Sequence, residues 1–313
     1  MPTKSVGTYA PPAEGCRHVM QMAVGYFDES SDEVGGNLCY AVAGLIGSMD
    51  ATVVLELKWK DLLDEYELAY FKASELNAGE GEFRKFRDDP SAQQWTPFSP
   101  REKMLLKDIK TRFTDVIVSS RGLYWIGAVV VLPDFERIRA QYPAAKILPE
   151  PYFLCSGLVL MEAGQQMLLT NSEIPSPHKG FLKPVFDSHE AYSGRVKQGY
   201  DLFCEKNPLS ATYLLPPDYE PEEKHMSLQA ADDFVYEVRR ALVRKVTGYP
   251  PKERVSMSRI KDTGSIIRIY KLNYTGLKIL CDAQESDVMP DIETMAEGPL
   301  LAMRDDLLLD VGE

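Results

Sequence analysis

The stretch Met20 to Ser30, MQMAVGYFDES, is apolar along most of its length and stops abruptly at two carboxylates. A run of this kind reads as a central strand, and the end of such a strand holds a side chain in a fixed position. Counting by twos, Met22, Val24, Tyr26 and Asp28 share one face, while Ala23, Gly25, Phe27 and Glu29 share the other. The two acids therefore point oppositely, and at most one of them joins a given site directly. An acid so placed needs a cation, a donor or water, because desolvating an uncompensated carboxylate is expensive. A solvated turn after the strand is the plainer alternative for the Asp-Glu-Ser-Ser-Asp-Glu segment.

The rest of the chain gives that strand partners. Its 313 residues, 44% of them hydrophobic, suffice for one large domain with its own core. Residues 1–17 are rich in proline and glycine and read as a loosely held arm, 18–284 as the folded domain and 285–313 as an acidic tail. Leu38 to Ile46 predicts a second strand, antiparallel to the first across the SSDEVGGN loop. Ala51 to Tyr66 predicts an amphipathic helix with Val54, Leu57, Leu62 and Leu63 as its apolar residues. Ser99, Pro100 and Glu102 form a helix start with the serine as cap, and the helix runs to about Val118. Leu123 to Leu132 is a third strand stopped by Pro133. Helices at Tyr152–Leu169, Ser193–Glu205 and Met226–Val246 follow, with short strands at Lys183–Asp187 and Ala211–Leu215 between them. Ile266–Tyr270 reads as a strand and Tyr274–Ala283 as a helix. Strands followed by helices in this order indicate an α/β or α+β fold.

Charge and cysteine usage exclude several function classes. A formal net charge of −12 argues against a broad basic face for duplex nucleic acid, though not against a local basic groove. Five scattered cysteines with no CxxC pair suggest neither a disulfide framework nor a zinc site. No window approaches about 18 uninterrupted apolar residues, and the start lacks the regions of a secretory signal. A soluble, cytoplasmic protein without a membrane partner is expected. The chain also lacks the GxxxxGK[ST] loop of Walker-type enzymes and the GxSxG of serine hydrolases.

In the helix from Met226, residues Leu228, Ala231, Val235, Val238 and Leu242 form one apolar stripe. Asp232 lies at its edge and turns toward the core, whereas Asp233 faces nearly away. Gln229, one turn earlier, is placed to orient a ligand or a backbone group. Asp28 and Asp187 at strand ends, with Asp232 on a late helix, form a pattern that recurs where two divalent cations are held about 4 Å apart for phosphodiester hydrolysis. Structural hydrogen bonding is the alternative role for Asp232.

The segments Tyr26-Phe-Asp-Glu-Ser30, Phe71-Lys-Ala-Ser-Glu-Leu76, Phe186-Asp187 and Leu228-Gln-Ala-Ala-Asp232 together resemble the domain of unknown function 3800 family, whose members look like ribonuclease H-type proteins. Ser31 stands where that family usually has glycine. The resemblance implies an α/β fold with a ribonuclease H-like mixed central sheet flanked by helices, carrying insertions and a C-terminal extension. It also implies that Asp28, Asp187 and Asp232 converge, with Glu75 as a fourth metal ligand. The expected activity is that of a metal-dependent nuclease, with Mg²⁺ or Mn²⁺ bridged by Asp28 and its partner acids. His189 and His225 are candidates for moving a proton near neutral pH, and surface loop positions are the alternative for both.

DNA or RNA is the expected substrate partner. Lys72, Lys183, Arg195 and Lys197 lie near the acidic motifs in sequence and are available for phosphate oxygens or for balancing surface charge. Tyr192 and Tyr200 are available for base stacking or simple packing. A binding or regulatory module that keeps the fold without turnover, acting with a protein partner or as a homodimer, is the rival to an enzyme. A small-molecule nucleotide phosphohydrolase is the rival within enzymes.

Overall fold

Strict alternation along two strands creates two separate apolar cores, one on each face of a sheet. The computed structural model describes residues 22–31, 38–91, 93, 96–142, 150–172, 179–188, 193–247 and 266–285. Strands β1 (Met22–Ser31), β2 (Cys39–Ser48) and β3 (Leu123–Val131) form an antiparallel meander in which Asp28 pairs with Ala43, and Ala43 with Gly127. Along β2, Tyr40, Val42 and Ile46 enter one core, while Ala41, Ala43 and Leu45 enter the other. On β3, Ile126, Ala128 and Val130 join the first core, and Trp125 and Val129 the second. A slip of one residue would exchange the two sets, so the register is strongly specified. Gly44 lets β1 approach closely: a Cβ there would lie 1.8 Å from the Tyr26 carbonyl oxygen.

Strands β4 (Phe181–Asp187) and β5 (Asp218–Glu220) extend the sheet beyond β1 in parallel, and β6 (Ile266–Leu272) pairs in parallel with β3. Among the described residues the order is β5-β4-β1-β2-β3-β6, so β1 is central. Parallel neighbours require crossovers, and helices supply them. On the second-core face lie α1 (Met49–Glu65), α2 (Ala73–Ala78) and α3 (Pro100–Ser119), the last two elements linked through a 3₁₀ turn at Gly81–Phe86. On the other face lie α4 (Leu132–Gln141), α5 (Pro151–Ser172), α6 (Ser193–Lys206) and the short α7 (Pro208–Ala211). After the 3₁₀ turn Glu222–Lys224 comes α8 (Met226–Val246), which returns to the second-core face, and α9 (Tyr274–Glu285) closes the described chain on the first. The result is an α/β fold with a mixed six-stranded sheet between helical layers.

The capping box at Ser99 forms as read: Ser99 Oγ accepts from the Glu102 N–H, and the Glu102 carboxylate accepts from the Ser99 N–H. Two local expectations need correction. Val54 and Leu57 are exposed, and Thr52, Leu55, Trp59, Leu62 and Leu63 are the buried set of α1, because these share one face at helical spacing and Val54 and Leu57 lie off it. Segment 211–215 is not a strand; α7 ends in it, and only Leu214 bridges Leu182. The expected end of the third strand at Pro133 holds, since β3 stops at Val131 and Pro133 lies in the first turn of α4, where its missing N–H costs nothing. The four cysteines of the described residues are free thiols. No described helix is long and apolar enough to cross a membrane. The expected arm 1–17 and the expected tail from 286 onward lie outside the described residues.

These placements separate two neighbouring leucines of similar sequence context. Leu55→Ala should destabilise the protein by about 2–5 kcal/mol through lost burial and the cavity left behind, whereas Leu57→Ala should stay within about 0.5 kcal/mol of wild type. Urea denaturation of both variants checks the assignment.

Candidate metal centre at the end of the central strand

The parallel pairing of β1 and β4 sets Phe27 against Phe186, with ring centroids 5.2 Å apart in the first core. The next residue of each strand is an aspartate, and alternation turns both Asp28 and Asp187 toward the α8 side. Asp28 is only 5% exposed, and its Oδ1 accepts the backbone N–H of Glu29 at 2.8 Å. Asp187 is partly exposed, and its Oδ1 accepts the N–H of Glu222 at 2.9 Å. That bond holds the 3₁₀ turn Glu222–Lys224 against the end of β4. Within the turn the Glu222 side chain is directed inward while Glu223 stays exposed.

Helix α8 fixes the remaining pieces. Gln229 Oε1 accepts from Trp59 Nε1 at 3.0 Å and from the Phe71 N–H at 2.9 Å, while its Nε2 donates to the Glu222 carbonyl at 3.1 Å. One turn on, Asp232 Oδ2 accepts from the Ala73 N–H at 2.6 Å. The backbone on both sides of Lys72 is thus tied to α8, and the Lys72 ammonium donates to Glu222 Oε1. The expectation that Gln229 orients a backbone group is met, with two backbone groups and an indole held by a single buried amide.

Asp28, Glu222 and Asp232 each bring one carboxylate oxygen within 4.8 Å of the others. All three are buried, and Glu222 Oε2 has no hydrogen-bond partner. Burial raises the Asp28 pKa well above its ordinary range, and the carboxylates of Asp232, Glu29, Glu222 and Asp187 push it further. Burial, then Asp232, lifts Glu222 to about 8 against the pull of Lys72. Asp232 is also raised by burial, with the Ala73 N–H, Lys72 and Lys110 opposing. Glu29 points to the other side of the strand yet reaches about 7, through burial and its neighbour Asp187. Burial would lower Lys72, but the carboxylates of Glu222, Asp232 and Asp28 outweigh it and raise its pKa. A cation of higher charge fits such a set, since oxygen ligands from Asp and Glu suit Mg²⁺ and Mn²⁺.

Several site residues expected from the sequence end up elsewhere. Glu75 is not part of the group: its carboxylate accepts from Tyr70 Oη at 3.0 Å and packs where a side chain on Gly81 would stand. His189 and Tyr192 lie outside the described residues, and of Arg195 only the backbone is described. His225 immediately precedes α8 and faces Glu220, with Nε2 3.5 Å from its carboxylate. Lys183 pairs with Asp218 at 2.8 Å, and Tyr200 Oη donates to the Leu214 carbonyl. Asp233 does not face away from the core. It is 1% exposed and takes an ion pair from Lys110 of α3, which also lies 3.2 Å from Glu237. The helical-wheel expectation fails there because α8 is covered on both sides, by the sheet and by α3. No local signal identifies Glu222: nothing in PEEKH marks one glutamate over the next, and only the 3₁₀ turn selects it.

Comparison with protein-family models, with curated proteins and with solved structures finds no match.

Two expectations follow from the charge balance. Glu222 and Glu29 bind a proton more tightly folded than unfolded, where their pKa is ordinarily 4.5. Their contribution favours the metal-free fold below that value and is lost as pH rises through about 7 and 8. The melting temperature of EDTA-treated protein should therefore fall across that interval, less steeply in Glu222→Gln and much less with Mn²⁺ present, as calorimetry over pH would report. Lys110→Met should cost about 3–5 kcal/mol, because it strands the buried Asp233 and Glu237 without their cation; denaturation against wild type at neutral pH gives the value.

Proposed function

We propose that the protein is a divalent-metal-dependent hydrolase of nucleic-acid phosphodiester bonds, built on a ribonuclease H-like sheet. One observation carries this reading: a buried Glu222 oxygen with no hydrogen-bond partner belongs to a carboxylate that meets Asp28 and Asp232 within 4.8 Å. A buried acceptor left unpaired is costly, and a hard cation is the partner its chemistry calls for. The donor set therefore fits Mg²⁺ or Mn²⁺. Asp28, Glu222 and Asp232 would hold the ion, with Asp187 fixing the backbone of Glu222.

The family resemblance of the YFDES, FKASEL, FD and LQAAD segments supports the finer reading of fold and reaction. That resemblance requires a first strand bearing Asp28, with Asp187 and Asp232 directed toward it. A central β1 with Asp187 on the neighbouring parallel strand and Asp232 on the helix above is consistent with this. Glu75 has no part in the proposed ligand set, and Glu222 takes its place.

Such an ion supplies positive charge to the phosphate and acidifies water bound to it. The chain's own residues do the rest. The Ala73 N–H and the Gln229 amide keep Asp232 and the Glu222 turn in fixed orientation before substrate arrives, so little reorganisation is left for the reaction itself. Lys72, with 38% of its side chain exposed, is the cation placed to meet a phosphate oxygen from solvent. With a net charge of −12, contact with nucleic acid is local to this end of the sheet rather than spread over a basic face.

Labelled single- and double-stranded DNA and RNA, incubated with wild type, Asp28→Asn and Glu222→Gln in EDTA, Mg²⁺ or Mn²⁺, test the reading. Wild type should cut at least one polymer only with metal present. Each variant should lose more than the roughly 10–100-fold that outer partners of a metal site contribute. Cleavage that survives EDTA or both substitutions overturns the proposal, and a wild type that binds these polymers without cutting any of them favours a binding module.

A further inference from the structure

We infer that Lys72 holds the place of a second cation, so that the carboxylate cluster takes one divalent ion per chain rather than two. The inference rests on the hydrolase reading and refines the content of the same site.

The cluster is bound to the chain's own donors, of which one is a cation. Asp28 Oδ1 is used by the Glu29 N–H, Asp187 Oδ1 by the Glu222 N–H and Asp232 Oδ2 by the Ala73 N–H. Glu222 Oε1 takes the Lys72 ammonium. Two ions about 4 Å apart need a carboxylate that gives one oxygen to each, and Glu222 is the one here whose second oxygen is held by a charged side chain rather than by a backbone N–H. One oxygen each of Asp28, Glu222 and Asp232 lie within 4.8 Å of one another, and Glu222 Oε2 is buried without a hydrogen-bond partner.

Lys72 is suited to the second position by where its backbone is anchored. Phe71 N–H is held by Gln229 and Ala73 N–H by Asp232, so both flanking peptide groups are fixed to α8. The ammonium is a compact charge with three donors. One donor is on Glu222, and the side chain is open enough to solvent for another to reach a substrate oxygen. A second divalent ion on Glu222 Oε1 would sit in contact with that ammonium and be repelled by it. Lys72 accordingly provides permanently what a second ion would provide when bound: positive charge beside Glu222 and a contact for phosphate.

The decisive quantity is the number of Mn²⁺ ions per full-length chain, measured by equilibrium dialysis with elemental analysis and by the electron spin resonance of the bound ions. Wild type and Lys72→Arg should bind one isolated ion. Lys72→Met and Lys72→Gln, checked for folding by circular dichroism, should bind two that show spin coupling to each other. Two ions in wild type, or one ion in both neutral variants, overturn the role of Lys72, and if cleavage still requires metal the hydrolase reading stands without it. A folded wild type that binds no Mn²⁺ removes both the inference and the hydrolase reading.

Discussion

Mutual repulsion among buried carboxylates at the end of the central strand is the constraint around which this molecule is arranged. Asp28, Glu222 and Asp232 stand close together in positions almost closed to water, with Asp187 and Glu29 adding to the field. Such a cluster is tolerated only where fixed donors and cations offset it. Three backbone N–H groups and the Lys72 ammonium do so, and they come from three separate segments of the chain: the end of β1, the turn before α8 and the start of α2. The cluster is therefore also a junction that holds these segments together.

The same helix that carries Asp232 is the scaffold for its surroundings. Gln229 connects α1, the approach to α2 and the Glu222 turn through one amide, and its neighbours Ala230 and Phe234 pack into the core formed with β2 and β3. On the far side of α8, the pair of Asp233 and Glu237 is neutralised by Lys110. Lys110 also acts on Asp232, holding its pKa below the level burial alone would set. Packing, orientation and charge at the site are thus properties of one helix wedged between the sheet and α3.

A second buried acid shows what a fully compensated carboxylate looks like in this fold. Glu162 of α5 is completely buried, and accepts from Tyr124 Oη, Tyr270 Oη, Gln166 Nε2 and Arg268. It joins β3, β6 and α5 through a satisfied network, the state expected of a structural polar group. Glu222 differs in keeping one buried oxygen without a partner. That contrast, more than the number of acids, separates the candidate site from the framework.

The sequence by itself determined the elements that depend on local periodicity and capping: the alternating strands β1 to β3, the Ser99 capping box, and an α8 with Asp232 turned inward. Asp28 at the end of an apolar strand was legible for the same reason, since a run of buried residues that ends in an acid is a local pattern. Tertiary structure alone decided Glu222, Lys72, Asp233 and Glu75. Glu222 is chosen over Glu223 by a 3₁₀ turn tied to Asp187, and Lys72 is distinguished from Lys183 only by the hydrogen bonds of its neighbours to α8. Asp233 is buried because a second layer covers α8, which no single-helix projection contains, and Glu75 is drawn away by Tyr70 and the turn at Gly81. Periodicity is a property of a few consecutive residues, whereas the position of a charge in three dimensions depends on which distant donors reach it.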